Sequence, residues 1–310
     1  MVSAGICEVS ATERADQMAF TPLWESEPSA LPSDYDGAAM ASWNGASLLV
    51  TQSYARNVVD VYQVAFMGSG IERVTSMTHV PGSVGPVALH IGDVPYVITY
   101  ASDEGKFRVF SIGATPVLSP AGEFSDGVNT RGFTTVAPFS YTTHPKSGPV
   151  TANYVLAYNS VSGAVRVYQL QRTAGFAVGW RDVWSHQWSD GWRQFSFFQM
   201  GGENFFFKNN LPHANVNIDF MSGDPSAGSH PVGSHLPLPL DLAAVACFEY
   251  LGNPYFATLR SDGHTTVNRF NADGQGWVQQ VATSAGTVGK LLVPFALDGQ
   301  RRGVFWYGVG

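Results

Sequence analysis

One stretch of the chain is written twice. Tyr96-Val-Ile-Thr-Tyr-Ala-Ser-Asp-Glu-Gly-Lys-Phe-Arg-Val-Phe-Ser lines up with Tyr154-Val-Leu-Ala-Tyr-Asn-Ser-Val-Ser-Gly-Ala-Val-Arg-Val-Tyr-Gln, strand against strand and turn against turn, 58 residues apart. A repeat of this period constrains the fold more than any composition can, because each unit must bury its apolar face on its neighbours. Weaker copies are Leu48-Leu-Val-Thr-Gln-Ser-Tyr with Val59-Asp-Val-Tyr, Phe205-Phe-Phe-Lys-Asn-Asn with Val216-Asn-Ile-Asp-Phe, and Tyr255-Phe-Ala-Thr-Leu-Arg with Thr266-Val-Asn-Arg-Phe. Each hairpin follows another apolar run that ends in a turn, such as Gly85-Pro-Val-Ala-Leu-His-Ile-Gly-Asp. Each is followed by a fourth segment, such as Trp180-Arg-Asp-Val-Trp or Trp277-Val-Gln-Gln-Val.

Four short strands per unit of about 50 residues predict an all-β propeller. The last unit supplies only Lys290-Leu-Leu-Val-Pro-Phe-Ala-Leu and Val304-Phe-Trp-Tyr, while two spare strands, Ile6-Cys-Glu-Val-Ser and Met18-Ala-Phe-Thr-Pro-Leu-Trp, sit at the start. Pairing the two ends completes a sixth blade of four antiparallel strands and removes the open edges. The expected units are 1–25 as the outer strands of blade 6, 36–79 as blade 1, 84–124 as blade 2, 131–187 as blade 3, 192–238 as blade 4, 241–284 as blade 5 and 289–310 as the inner strands of blade 6. A single propeller domain of six blades follows, with seven blades as the alternative closure. In blade length and turn pattern the chain resembles the six-bladed propellers among fungal and bacterial fucose-binding lectins and among some cyclases and lyases. That resemblance implies a fold, and two classes of function.

Composition narrows the partners. The chain of 310 residues has 17 Lys and Arg against 24 Asp and Glu, a formal net charge of -7, and no basic run of five or more residues. This argues against a nucleic-acid partner. Apolar segments stop near ten residues, short of the ~20 that a membrane-spanning helix needs. The first residues lack a basic region, and Glu8 interrupts their apolar stretch, so no signal peptide is read. Cys7 and Cys247 form no CxxC pair, and the expectation is two free thiols in a cytoplasmic protein.

In a propeller the starts of the inner strands share one face with the turns between second and third strands. The inner-strand starts carry Asp36, Gly85, Arg131, Arg193, Asp241 and Lys290 in blade order. The turns carry Arg56 and Asn57, then Asp103, Glu104 and Lys106, then Asn159, then Asn209, Asn210 and His213, then Asp262 and His264. Turn chemistry accounts for the Asn and Asp residues. It accounts less well for Arg131, Arg193 and Lys290, three cations at one channel mouth that an anionic ligand would neutralise.

Trp180, Trp184, Trp188 and Trp192 recur every four residues, and an even spacing on a strand puts all of them on one face. Trp180 and Trp184, with Trp24 and Trp277, read as packing between blades, whereas Trp192 reads as a stacking surface beside Arg193. His90 and Cys247 read as buried core residues. None of the eight histidines forms a close metal pair, and no metal or other cofactor is expected.

Two classes of function remain. One is a metal-independent lyase, isomerase or cyclase acting on a small anionic molecule at the channel mouth. In it Arg131, Arg193, Lys290, Trp192, Asp36 and Asp241 bind the ligand, while His213, His264, Tyr100 and Tyr158 move protons. The other is a sugar-binding lectin with sites between blades, which would repeat a Trp with an Arg and a Glu in each blade; that recurrence is missing from the sequence, which leaves room for one or two such sites. A scaffold for protein partners is a third class.

Overall fold

A computed structural model describes residues 2–11, 18–25, 31–65, 69–143, 149–210, 213, 215–237, 241–284, 289–296 and 302–309. Among them are six sheets of four antiparallel strands. Blade 6 holds β1 (Val2–Ala11) and β2 (Met18–Glu25), which join the two last strands of the chain. Blade 1 is β3 (Gly37–Trp43), β4 (Ala46–Ser53), β5 (Val58–Val64) and β6 (Ile71–Met77). Blade 2 is β7 (Val84–Ile91), β8 (Val94–Ala101), β9 (Lys106–Ile112) and β10 (Leu118–Phe124). Blade 3 is β11 (Thr135–Thr143), β12 (Val150–Tyr158), β13 (Ala164–Arg172) and β14 (Val178–Gln187). Blade 4 is β15 (Trp192–Met200), β16 (Glu203–Asn210), β17 (Asn215–Met221) and β18 (Ser229–Pro237). Blade 5 is β19 (Leu242–Tyr250), β20 (Asn253–Arg260), β21 (His264–Phe270) and β22 (Trp277–Ser284). The inner strands of blade 6 are β23 (Gly289–Ala296) and β24 (Arg302–Val309).

The inner strands touch in the order β3, β7, β11, β15, β19, β23 and back to β3, which makes a six-bladed propeller. Closure runs through the chain ends: β1 lies between β2 and β24, with Ile6 opposite Phe305 and Cys7 opposite Val304.

Second strands lie between two blades and are covered on both faces, so they read as continuous apolar runs. Every residue of β8 is buried. The hydrophobic effect acts mainly across these junctions: Tyr96, Ile98 and Tyr100 of blade 2 share one cluster with Val155, Ala157 and Tyr168 of blade 3. The junction of blades 3 and 4 is aromatic, with Tyr158, Trp188, Trp192, Phe195 and Phe206 in contact. In blades 2 and 3 the turns between second and third strands close on glycine in the left-handed region: Gly163 (φ 77°) donates its N–H to Asn159 O, four residues back, at 2.8 Å, and Gly105 (φ 64°) donates to Ser102 O, three residues back, at 3.2 Å.

The tryptophan run departs from the even-face expectation. Val167 pairs with Trp184 but Tyr168 pairs with Asp182, so one residue of β14 is bulged out of register. A bulge reverses the alternation beyond it. Trp180 therefore stacks on Phe124 of blade 2 at 5.2 Å, whereas Trp184 packs with Trp188 towards blade 4. Trp277 packs against Phe256 as a junction residue, and the side chain of Trp24 lies outside the described residues.

Candidate functional site

The upper face, where inner strands begin, carries the expected polar residues, but most of its charges neutralise one another. Lys290 Nζ sits 2.9 Å from Asp36 Oδ1, so this cation already has its counter-charge within the protein. Arg260 Nη2 lies 2.7 Å from Asp241 and 3.3 Å from Asp262. The Asp262 carboxylate also takes the backbone N–H of His264 at 3.0 Å and lies 3.1 Å from its Nδ1. Arg56 forks onto Asp34, with Nη2 to Oδ1 at 2.9 Å, and holds the Asp34 carboxyl below its ordinary pKa. Arg131 and Arg193 are different. Both are exposed, and neither makes an ion pair among the described residues.

The two phenols expected to move protons, Tyr100 and Tyr158, are occupied elsewhere. Tyr100 is fully buried, donates its hydroxyl to the carbonyl of Thr130 and accepts the N–H of Phe133 at 3.2 Å. Tyr158 does the same one blade on: its hydroxyl donates to Ser189 O at 2.6 Å and accepts Trp192 N–H at 3.4 Å. Tyr307 in blade 6 donates to Pro32 O at 2.6 Å and accepts Tyr35 N–H at 3.4 Å. These phenols are clasps. Each pins the connection to the next blade by satisfying one donor and one acceptor of its backbone. Their pKa values are raised by burial, which suits a neutral donor held in place rather than a proton carrier.

Trp192 is buried too, its Nε1 donating to Ser189 Oγ at 2.9 Å, and it offers no face to a ligand. His213 is exposed on the turn between β16 and β17. His90 is exposed rather than buried in the core: it stands near the end of β7, where its Nε2 lies 2.9 Å from Ser42 O of blade 1. Cys247 is buried and free, and its thiol pKa is pushed up to about 12 by desolvation. Among the described residues, no group of three His, Cys, Asp or Glu side chains is placed to hold a metal ion.

A different constellation forms between blades 3 and 4. A pocket of about 420 Å³ is lined by Tyr154, Arg181, Asp182, Val183, Asp224, Pro225 and Ser226. Tyr154 comes from the second strand of blade 3 and Arg181 to Val183 from its outer strand. The remainder comes from the turn after β17, which leans across from blade 4. That turn is held closely: a Cβ on Gly223 would lie 2.3 Å from the Tyr141 hydroxyl, and one on Gly228 would lie 2.7 Å from Trp184 Nε1. Asp224 caps the short 3-10 turn, its Oδ1 accepting Ser226 N–H at 3.0 Å and Ser226 O–H at 2.6 Å. Those two bonds hold its pKa below the ordinary value and leave Oδ2 uncommitted.

Arg181 bonds Gln169 and keeps further donors, while Asp182 is paired with Arg166. Arg181 lies within electrostatic reach of both Asp224 and Tyr154. Yet cation and anion do not close into an ion pair, so both face the same open volume. Burial raises the pKa of the Tyr154 phenol, so it presents a neutral hydroxyl.

None of these three residues stood out in the sequence. The only local signal is Asp224-Pro-Ser, a turn cap.

No family model matches the chain, and no curated protein does. Solved structures do. A lectin in complex with alpha-methyl fucoside matches 86% of this chain and 86% of its own at 12% identity, with a TM-score of 0.57. A protein from Lactobacillus plantarum matches 94% of this chain and 85% of its own at 13% identity, with a TM-score of 0.55. The periplasmic gluconolactonase of Pseudomonas aeruginosa matches 92% of this chain and 97% of its own at 11% identity, with a TM-score of 0.52. At these identities the likeness is one of fold, shared by a sugar-binding protein and a lactone-cleaving enzyme alike.

Proposed function

From a propeller scaffold shared by a lectin and a lactonase, we propose that this chain binds carbohydrate, through the pocket between blades 3 and 4. The observation that carries the reading is Arg181 facing Asp224 across an open volume, with the Tyr154 hydroxyl beside them. A sugar hydroxyl is at once donor and acceptor. It can accept from the guanidinium and donate to the free carboxylate oxygen, filling the gap that the two side chains leave open. An anion would face Asp182 and Asp224, and a cation would face Arg181, so a neutral polyol suits the lining best. Fucosides are the first sugars to try, on the strength of the lectin of like fold.

Enzymatic turnover at the channel mouth is the second reading. One observation favours it: Arg131 and Arg193 stand exposed, without ion pairs among the described residues, on adjacent blades. Its proton-transfer set is reduced to His213 and His264, because Tyr100 and Tyr158 are clasps.

A glycan array followed by calorimetry with the best neutral monosaccharide separates the two. Replacing Arg181 by alanine deletes a charge-assisted hydrogen bond of about 1.5–3 kcal/mol, a loss of roughly 10- to 150-fold in affinity, and replacing Asp224 by alanine weakens binding in the same direction. The double change R131A and R193A leaves that affinity unchanged. If the array is blank and only the double change abolishes binding of a small anion, the carbohydrate reading falls.

A further inference from the structure

Arg181 and Asp224 line one pocket with opposite charges, within electrostatic reach of each other, yet they make no ion pair. An unrestrained arginine samples many rotamers, and a carboxylate within reach captures it. Each of the two must therefore be held back. Ser226 holds Asp224, occupying its Oδ1 twice. Gln169 holds Arg181, its Oε1 accepting from Nη2. The adjacent carboxylate, Asp182, is taken by Arg166 of the same strand as Gln169 and does not compete.

Strand register puts Gln169 in that position. Phe139, Tyr154, Gln169 and Arg181 stand directly opposite one another across the four strands of blade 3, so their side chains share the face turned to blade 4. Phe139 anchors the row, stacked on Tyr154 at 5.1 Å and on Phe197 of blade 4 at 4.3 Å. Gln169 is half-buried between the tyrosine and the arginine, and it does not itself line the pocket. The corresponding row of blade 2 is Leu89, Tyr96, Ser111 and Ser119. There the tyrosine hydroxyl is spent on the carbonyl of Phe176 at 3.2 Å, and the row has neither amide nor cation. In blade 5 the row is Phe248, Tyr255, Arg269 and Val278, an arginine one strand further in and no amide beside it.

We propose that Gln169 is a positioning residue: it keeps Arg181 from pairing with Asp224 and so holds the pocket open for a neutral sugar. The proposal rests on the carbohydrate reading of this pocket. With Nη2 tied to Gln169, Arg181 keeps Nη1 and Nε as donors for a sugar hydroxyl, in a fixed fork. A site set before the ligand arrives binds at less cost than one that must first order its side chains or break an ion pair. Losing the amide lets the two charges meet, and each then competes with the sugar for the other.

The test is calorimetry with methyl fucoside at two salt concentrations. Wild-type affinity is expected to be the same at about 0.05 M and about 0.5 M NaCl, since the ligand is neutral and no ion pair has to open. Gln169→Met, of like length but without an acceptor, is expected to bind roughly three- to tenfold more weakly at the lower salt. It should recover part of that loss at the higher salt, where the new ion pair is screened. Gln169→Glu keeps an acceptor at the same reach and is expected to restore binding. A substitution that merely disturbed packing would give a loss indifferent to salt. Gln169→Thr suits a strand but is too short to reach Arg181, and it serves if the methionine variant does not fold. Nitrogen NMR of arginine-labelled protein reads the bond without any sugar. Arg181, assigned by its absence in Arg181→Lys, is expected to show separate Nη signals in the wild type and merged ones in Gln169→Met. Merged signals in the wild type overturn the proposal, as does a loss in Gln169→Met that ignores salt. It is also overturned, with the carbohydrate reading intact, if Gln169→Met binds like the wild type while Arg181→Ala binds weakly. If Arg181→Ala binds like the wild type, the carbohydrate reading falls and takes this proposal with it. Should methyl fucoside not bind the wild type, the NMR signals decide.

Discussion

A tyrosine near a channel mouth is ambiguous in sequence, because proton transfer and backbone capping ask for the same phenol. Tyr100 and Tyr158 resolve towards capping: the connections they hold arrive from residues about 30 positions away, which no local pattern reveals. Tyr158→Phe is expected to leave the Ser189 carbonyl and Trp192 N–H short of a partner. It should lower unfolding free energy by about 1–3 kcal/mol in urea titration while ligand affinity stays unchanged. A catalytic tyrosine would give the opposite pair of results. Lys208 is the other residue whose role is hidden in the sequence. It is buried, with Nζ 2.8 Å from Asp219 and 4.0 Å from the centre of the Trp188 ring. Burial lowers the pKa of this lysine and raises that of its aspartate, so the pair is held by mutual attraction against desolvation. Lys208→Met alone should destabilise by about 3–5 kcal/mol, leaving an uncompensated carboxylate. Lys208→Met combined with Asp219→Leu should recover most of that loss, as read by the same titration.

Hairpins were legible because their turns are local. Asn159 takes the N–H groups of Val161 and Ser162 at 2.9 and 3.0 Å, and Gly163 supplies the left-handed residue, all within five positions. The bulge in β14 was not legible. It is one extra residue opposite Val167 and Tyr168, set by packing on two sides, and it sends Trp180 and Trp184 to different blades. Ring closure sits between these cases: the count of strands at each end announces it, and the pairing of β1 with β24 carries it out. Removing residues 1–25 would strip β24 of its outer partner and expose an apolar edge in a strand where Phe305 and Tyr307 are buried. Size-exclusion chromatography of that truncation is expected to show aggregation, with a lowered melting temperature for any monomer left. A monomer melting at the wild-type temperature would contradict the closure.

At the scale of the molecule, binding and stability should respond differently to acid. The Ser226 bonds hold the Asp224 pKa below 3.8, so its carboxylate is ionised throughout the range from about pH 5 to 8. Sugar affinity measured by calorimetry across that range is expected to be flat. A rise or fall of tenfold would place a titrating group in the pocket that the structure does not. Stability follows Asp34 in the same direction: its folded pKa is depressed, so its contribution is present above 3.8 and is lost as pH falls through the lower folded value. With both partners of the Asp34 and Arg56 pair partly exposed, that contribution stays below about 1 kcal/mol. The pocket between blades 3 and 4 escaped the sequence for a reason of scale. Tyr154, Arg181 and Asp224 come from three segments of two blades, and only the lean of one turn across a junction brings them together. The threading of β1 between β2 and β24 also sets an order in time. During synthesis the first two strands emerge long before the strand that receives them, and at about 5–20 residues per second that wait lasts on the order of tens of seconds. Through it, Ile6 and Val9 have only β2 to shelter them, so the newborn chain carries an adhesive hairpin until β24 leaves the ribosome.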